Sequence, residues 1–249
     1  MEMLCYQCEQ TAKGQACTSF GVCGKDAEVA ALQDLLIYAQ KDISRYAHRA
    51  YELGVRDRDV DVFMVRALFS TLTNVNFDPD RFRGYMKTAV EMKGRAKGLY
   101  EQAAKQVGKT PEPLEHPVEW WEHTDDVDVM LRRGREVGID KWIAKLGETV
   151  TGVQELITYG LKGAAAYADH AQILGTEEES LYAAFHAMLD YLTRQPKDAD
   201  ELLAQALKTG EINLKAMELL DAANTGAYGH PEPTQVRITP VKGKCIVVS

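Results

Sequence analysis

Residues 26–53, DAEVAALQDLLIYAQKDISRYAHRAYEL, place apolar side chains at Val29, Leu32, Leu36, Ala39, Ile43, Tyr46, Ala50 and Leu53. The steps alternate between three and four, so these residues share one face of an α-helix and could share no face of a strand. Gly54 follows as a left-handed C-terminal cap. Outward from this segment the same period recurs. A second helix is predicted over Val60–Asn74. A third starts at the capping Asp78 with Pro79 in the first turn, carries Phe82, Tyr85, Ala89, Met92, Ala96, Leu99 and Ala103 as its stripe, and stops at Gly108 before Pro111 and Pro113. Beyond Trp120 and Trp121, helices are predicted over Asp125–Val137, Asp140–Lys145, Glu148–Leu174, Glu177–Thr193, Asp198–Lys208 and Glu211–Ala223, with Gly210 separating the last two. The small residues Gly160, Ala164 and Ala165 are placed to let a neighbouring backbone approach.

The predicted fold is therefore all-α: a three-helix bundle followed by a second helical bundle, with an N-terminal cysteine loop and a short strand-like tail. The expected boundaries are 1–25 for the loop, 26–108 and 109–227 for the bundles, and 228–249 for the start of a further α/β domain. That last expectation comes from Lys244-Cys245-Ile246-Val247-Val248-Ser249, a β-branched run that reads as a buried parallel strand lacking neighbours, so the natural protein is expected to continue. An unpaired strand is also an edge, and self-association into a homo-oligomer through it is expected.

The chain has 249 residues, 45% hydrophobic and 27% charged, which suits a folded core rather than a disordered polymer. Its 37 acids against 29 bases, with no basic run, argue against a nucleic-acid or anionic-membrane surface. No stretch has the roughly 18 apolar residues of a spanning helix, and the N-terminus lacks a signal-peptide core. A cytoplasmic location is expected.

Of the five cysteines, Cys5, Cys8, Cys17 and Cys23 fall within the first 23 residues. A disulfide framework would be spread along the chain, so clustered thiols in a reducing compartment point to metal. The spacing C-x2-C-x8-C-x5-C lets one turn present two thiolates and a glycine-bearing loop (Gly14, Gly21, Gly24) return with two more. Lys25 and the start of the following helix offer positive potential beside them. An iron–sulfur cluster is favoured, and a structural zinc site, which would more often pair two short C-x2-C knuckles, stays open. The histidines His48, His116, His123, His170 and His186 have no Glu or Cys at ligand spacing. The tryptophan pair reads as packing.

The opening CYQCEQTAKGQACTSFGVCGK (5–25) closely resembles the N-terminus of the hybrid-cluster (prismane) proteins, or hydroxylamine reductases, and YGHPEPTQV (228–236) is similar to a second element of that family. The resemblance implies a helical N-terminal domain of two three-helix bundles, followed in the family by two α/β domains. It implies that Cys5, Cys8, Cys17 and Cys23 hold a 4Fe-4S cubane, the class with this spacing. It implies that His230, in the GHPEPT element, is one ligand of a hybrid iron–sulfur–oxygen cluster whose carboxylate and cysteine ligands lie in domains further along the family's chain. Cys245 matches no ligand position. The implied activity of the full-length protein is reduction of hydroxylamine to ammonia and water with electrons from a redox partner protein, and this chain alone is expected to be inactive. The competing readings are a zinc-bound structural or interaction module and a helical assembly domain with a merely structural cluster.

Overall fold

The computed structural model describes residues 3–115, 117–239, 242–244 and 246. Eight α-helices are formed among them: α1 (Ala27–Glu52), α2 (Arg58–Ser70), α3 (Pro79–Gln106), α4 (Val127–Glu136), α5 (Ile139–Leu146), α6 (Glu148–Ile173), α7 (Glu179–Thr193) and α8 (Ala199–Tyr228). The described residues contain no sheet; the one β-type pairing is an isolated antiparallel bridge between Cys5 and Cys17. The chain is all-α. The strand expected over Lys244–Ser249 lies largely outside the described residues, as do Cys245 and His116.

Aspartates open five of the helices. The side chains of Asp26, Asp57, Asp78, Asp126 and Asp198 each accept a backbone N–H from the first turn of the helix that follows, satisfying donors that would otherwise have no partner. Pro79 fills the first turn of α3, where no donor is lost.

Two apolar clusters form the core. One is built from α1, α3 and α4 with Val60 and Phe63 of α2 and the fully buried Trp120. The other joins α6, α7 and α8 to Val62, Met64, Val65 and Leu68 of α2 and Ile37 of α1. α1 is thus shared: it packs against α3 and α4 on one side and α7 on another, while α6 runs along α8 and against α2. Gly134 is required where α4 crosses α1, since a Cβ there would lie 2.2 Å from the Ala31 carbonyl oxygen. Gly160 is close-packed where α6 meets α8, but what it faces is the Thr209 side-chain methyl, 2.7 Å from where a Cβ would lie, rather than the backbone expected.

Two predicted boundaries need correction. The helices expected on either side of Gly210 are one helix, α8, which continues past Ala223 to Tyr228. A mid-helix glycine costs only about 1 kcal/mol relative to alanine, and the buried Thr209, Ile212, Ala216 and Ala223 hold the helix against its neighbours on both sides of it. The second helix ends at Ser70 rather than Asn74, because the Ser70 and Thr71 hydroxyls donate back to the carbonyls of Ala67 and Leu68 and Asn74 adopts a positive φ of 60°. The turn so formed is where the cysteine loop docks.

Candidate metal centre: the cysteine recess

Residues 3–25 fold without a helix longer than one turn. Cys5 and Cys17 pair their backbones, with N–H···O distances of 3.0 and 2.8 Å. Between them the chain reverses through a 3-10 turn over Ala12–Gly14, where Lys13 and Gly14 both take positive φ. A second reversal is closed by Gly21 N–H donating to the Lys25 carbonyl at 2.7 Å. A Cβ on Gly21 would sit 3.1 Å from the Cys23 sulfur, so the absence of a side chain is what lets that thiol lie against the loop. Met3, Cys17 and Ala30 make a small apolar contact that fastens the loop to α1.

The result is a recess lined by all four N-terminal cysteines, together with Gln7, Lys25 and Gln33 and, from the α2–α3 turn, Leu72, Thr73 and Phe77. All four cysteines are free thiols; Cys17 is buried and the other three are half-buried. Gln7, set between Cys5 and Cys8, spans to the α2–α3 turn: its carbonyl oxygen accepts the Thr73 N–H at 2.9 Å and its amide donates to the Thr71 carbonyl at 3.4 Å. Lys25 is buried and donates to Gln33 Oε1 at 3.0 Å, so its ammonium is held in the recess wall. Among the described residues no three His, Cys, Asp or Glu side chains converge tightly enough to share one metal ion. Phe20 and Val22, both about 60% exposed, project from the loop itself, Val22 at the edge of the recess.

His230 lies elsewhere. It follows the Gly229 cap of α8 on an exposed irregular segment and does not line the cysteine recess. The tryptophans pack as expected: Trp120 and Trp121 meet edge to face at 5.9 Å, and Trp120 Nε1 donates to Asp42 Oδ2 at 2.9 Å. Lys93 binds the same carboxylate oxygen at 2.9 Å and lies over the Trp121 ring, and burial lowers its ammonium to about 8.

Two polar groupings were not anticipated. Ser44 Oγ lies 2.8 Å from His186 Nδ1, and His186 Nε2 lies 3.1 Å from Asp61, which also accepts from Tyr51 and Arg56. Ser44 and His186 have no exposed surface, so this line of side chains ties α1, α2 and α7 together and offers no hydroxyl to a substrate. The other grouping is a charged cavity beside the recess, between α1, α5 and α6. Its signal was a spacing of seven in acids and lysines, Asp34/Lys41 and Glu155/Lys162, set beside apolar stripes.

A model of the Prismane/CO dehydrogenase family matches residues 3–249. Curated relatives named hydroxylamine reductase include one from Acidithiobacillus ferrooxidans, 47% identical over 251 positions, and one from Burkholderia lata, 45% identical over 251. Another, from Rhodospirillum rubrum, is 44% identical over 247. Each alignment takes in 99% of this chain and 45% of the relative, so the chain spans about half the length of the curated relatives it matches. No helix among the described residues is long and apolar enough to cross a membrane. With the family match running from the cysteine loop through every helix, the chain belongs to the Prismane/CO dehydrogenase family.

Proposed function

We propose that this chain is the electron-entry part of a hydroxylamine reductase, with Cys5, Cys8, Cys17 and Cys23 as ligands of a 4Fe-4S cluster. The observation that carries this reading is that four thiols from two separate turns line one recess. The donor set suits a cluster better than one ion. An all-thiolate zinc ion is more often held by two short C-x2-C knuckles, and this loop has only one. A bound cluster supplies one-electron chemistry. The protein's own part is to hold four thiolates, to place the buried Lys25 ammonium against their negative charge, and to leave one side half-exposed, where Phe20 and Val22 suit contact with a redox donor protein.

The full-length reaction is the reduction of hydroxylamine by two electrons and two protons to ammonia and water. His230 is proposed as one ligand of a second, hybrid iron–sulfur–oxygen cluster, with its remaining ligands outside this chain, in α/β domains into which residues 228–249 would lead. No carboxylate or thiol set surrounds His230 among the described residues, so turnover by this chain alone is expected to be absent. A cytoplasmic setting fits free thiols.

The test is a set of single Cys→Ser variants at the four positions, loaded anaerobically with iron and sulfide. Each is expected to lose or alter the reduced cluster's EPR signal, while His230→Ala leaves it unchanged. A signal indifferent to all four substitutions would refute the ligand set, and hydroxylamine turnover by this chain at a full-length enzyme's rate would refute the division of labour.

A further inference from the structure

The charged cavity between α1, α5 and α6 has a volume of about 450 Å³ and shares part of its wall with the cysteine recess. That size falls within the range of small-molecule sites. Its inner wall carries Asp34 and Lys41 from α1 and Glu155 and Lys162 from α6. Seven residues are close to two helical turns, so each helix presents one acid and one lysine to the same side. Glu155 and Lys162 are only 8% and 5% exposed.

These four charges are not satisfied by each other. Among the described residues none of them makes an ion pair within 4.0 Å or a side-chain hydrogen bond; the acids and lysines attract one another only through space, and Lys162 lies over the Tyr159 ring at 5.4 Å. The Tyr159 hydroxyl, in the same wall, is buried without a hydrogen-bond partner. Burial pushes the Asp34 carboxyl up to about 7 and the Lys162 ammonium down to about 8, the directions expected of charges short of partners. With Glu155 and Lys162 buried and Asp34 and Lys41 half-buried, charges this far from direct pairing call for a polar occupant. A simple anion would meet Asp34 and Glu155, and a simple cation would meet Lys41 and Lys162. A dipolar ion satisfies both sets. The exposed rim repeats the mixture, with Glu136 beside Lys141 and Lys145.

We propose that this cavity binds a small zwitterion of amino-acid size, its anionic end held by Lys41 and Lys162 and its cationic end by Asp34 and Glu155. The inference does not depend on the cluster assignment.

Calorimetric titration of the 249-residue chain with glycine and with L-glutamine, against acetate and methylammonium as singly charged controls, tests it. Saturable binding of at least one amino acid is expected, at least tenfold tighter than either control. Lys162→Met and Glu155→Gln are each expected to weaken it at least tenfold while the helical circular dichroism is retained. Where a variant fails to fold, acylation of Lys41 and Lys162 in the unaltered chain, followed by mass spectrometry, is expected to slow several-fold on adding the amino acid. Absence of saturable binding by both amino acids would show a water-filled cavity and overturn the proposal. Acetate binding as tightly as the amino acids would overturn it in favour of a simple anion site.

Discussion

Gln7 is the residue on which the geometry of the cysteine recess most visibly rests, and replacing it with alanine isolates that role. Among the described residues its side chain makes hydrogen bonds to Thr71 and Thr73 alone, and both contacts cross from the loop to the α2–α3 turn. The 2.9 Å bond is worth about 1 kcal/mol net, and the 3.4 Å bond, at the edge of acceptable geometry, about half that. Gln7→Ala should therefore cost the docked loop about 1–2 kcal/mol, or about five- to thirty-fold in the equilibrium between docked and open loop. If the four thiols hold a cluster, the open loop is the state in which a chelator strips iron. Anaerobic bleaching of the visible absorption by excess chelator should accelerate by that factor, while the thermal midpoint, governed by the helical core, moves little. A Gln7→Ala protein that loses iron at the unaltered rate would refute the reasoning. So would one whose whole fold melts at a much lower temperature, because the residue would then be supporting the core rather than the loop.

Other consequences of the packing can be measured on the same chain. His186→Leu leaves Asp61 and Ser44 buried without their shared partner, and a loss of about 2–4 kcal/mol is expected in urea unfolding; a loss below about 0.5 kcal/mol would contradict the network. Gly134→Val drives a side chain into the Ala31 carbonyl, so α1 and α4 must separate, and a drop of several degrees or failure to fold is expected by calorimetry. The raised Asp34 carboxyl sets a pH trend of known sign. Between its ordinary value near 3.8 and about 7 the folded chain keeps a proton that the unfolded chain has released, so this group's contribution to stability falls as pH rises through that window. Asp34→Asn should flatten the trend in unfolding free energy measured from pH 4 to 8; an unchanged slope would show that Asp34 is not the source.

The helices were legible because their apolar periods are long and their starts are marked by aspartate, as at Asp26, Asp78 and Asp198. Gly210 misled for a physical reason: a breaker's small local cost is outweighed by tertiary contacts along α6, which a period count does not contain. The end of α2 was misplaced because hydroxyl-to-backbone bonds at Ser70 and Thr71 have no periodic signature. At the candidate site, spacing alone singled out the four cysteines. It could not show that Gln7 fastens their loop to a turn 64 residues away, nor that Lys25 is buried in the recess wall. The seven-residue spacing of Asp34/Lys41 and Glu155/Lys162 was visible in the sequence, but only the tertiary fold, which sets α1 and α6 on opposite walls of one space, turns it into a cavity.

The most direct test of the central claim is metal and sulfide analysis of the anaerobically purified chain, with its visible spectrum before and after dithionite. About four iron and four acid-labile sulfide per chain, with a broad absorption that bleaches on reduction, is the result expected of a 4Fe-4S cluster on Cys5, Cys8, Cys17 and Cys23. One zinc, no sulfide and no colour would contradict it and leave the recess a structural metal site.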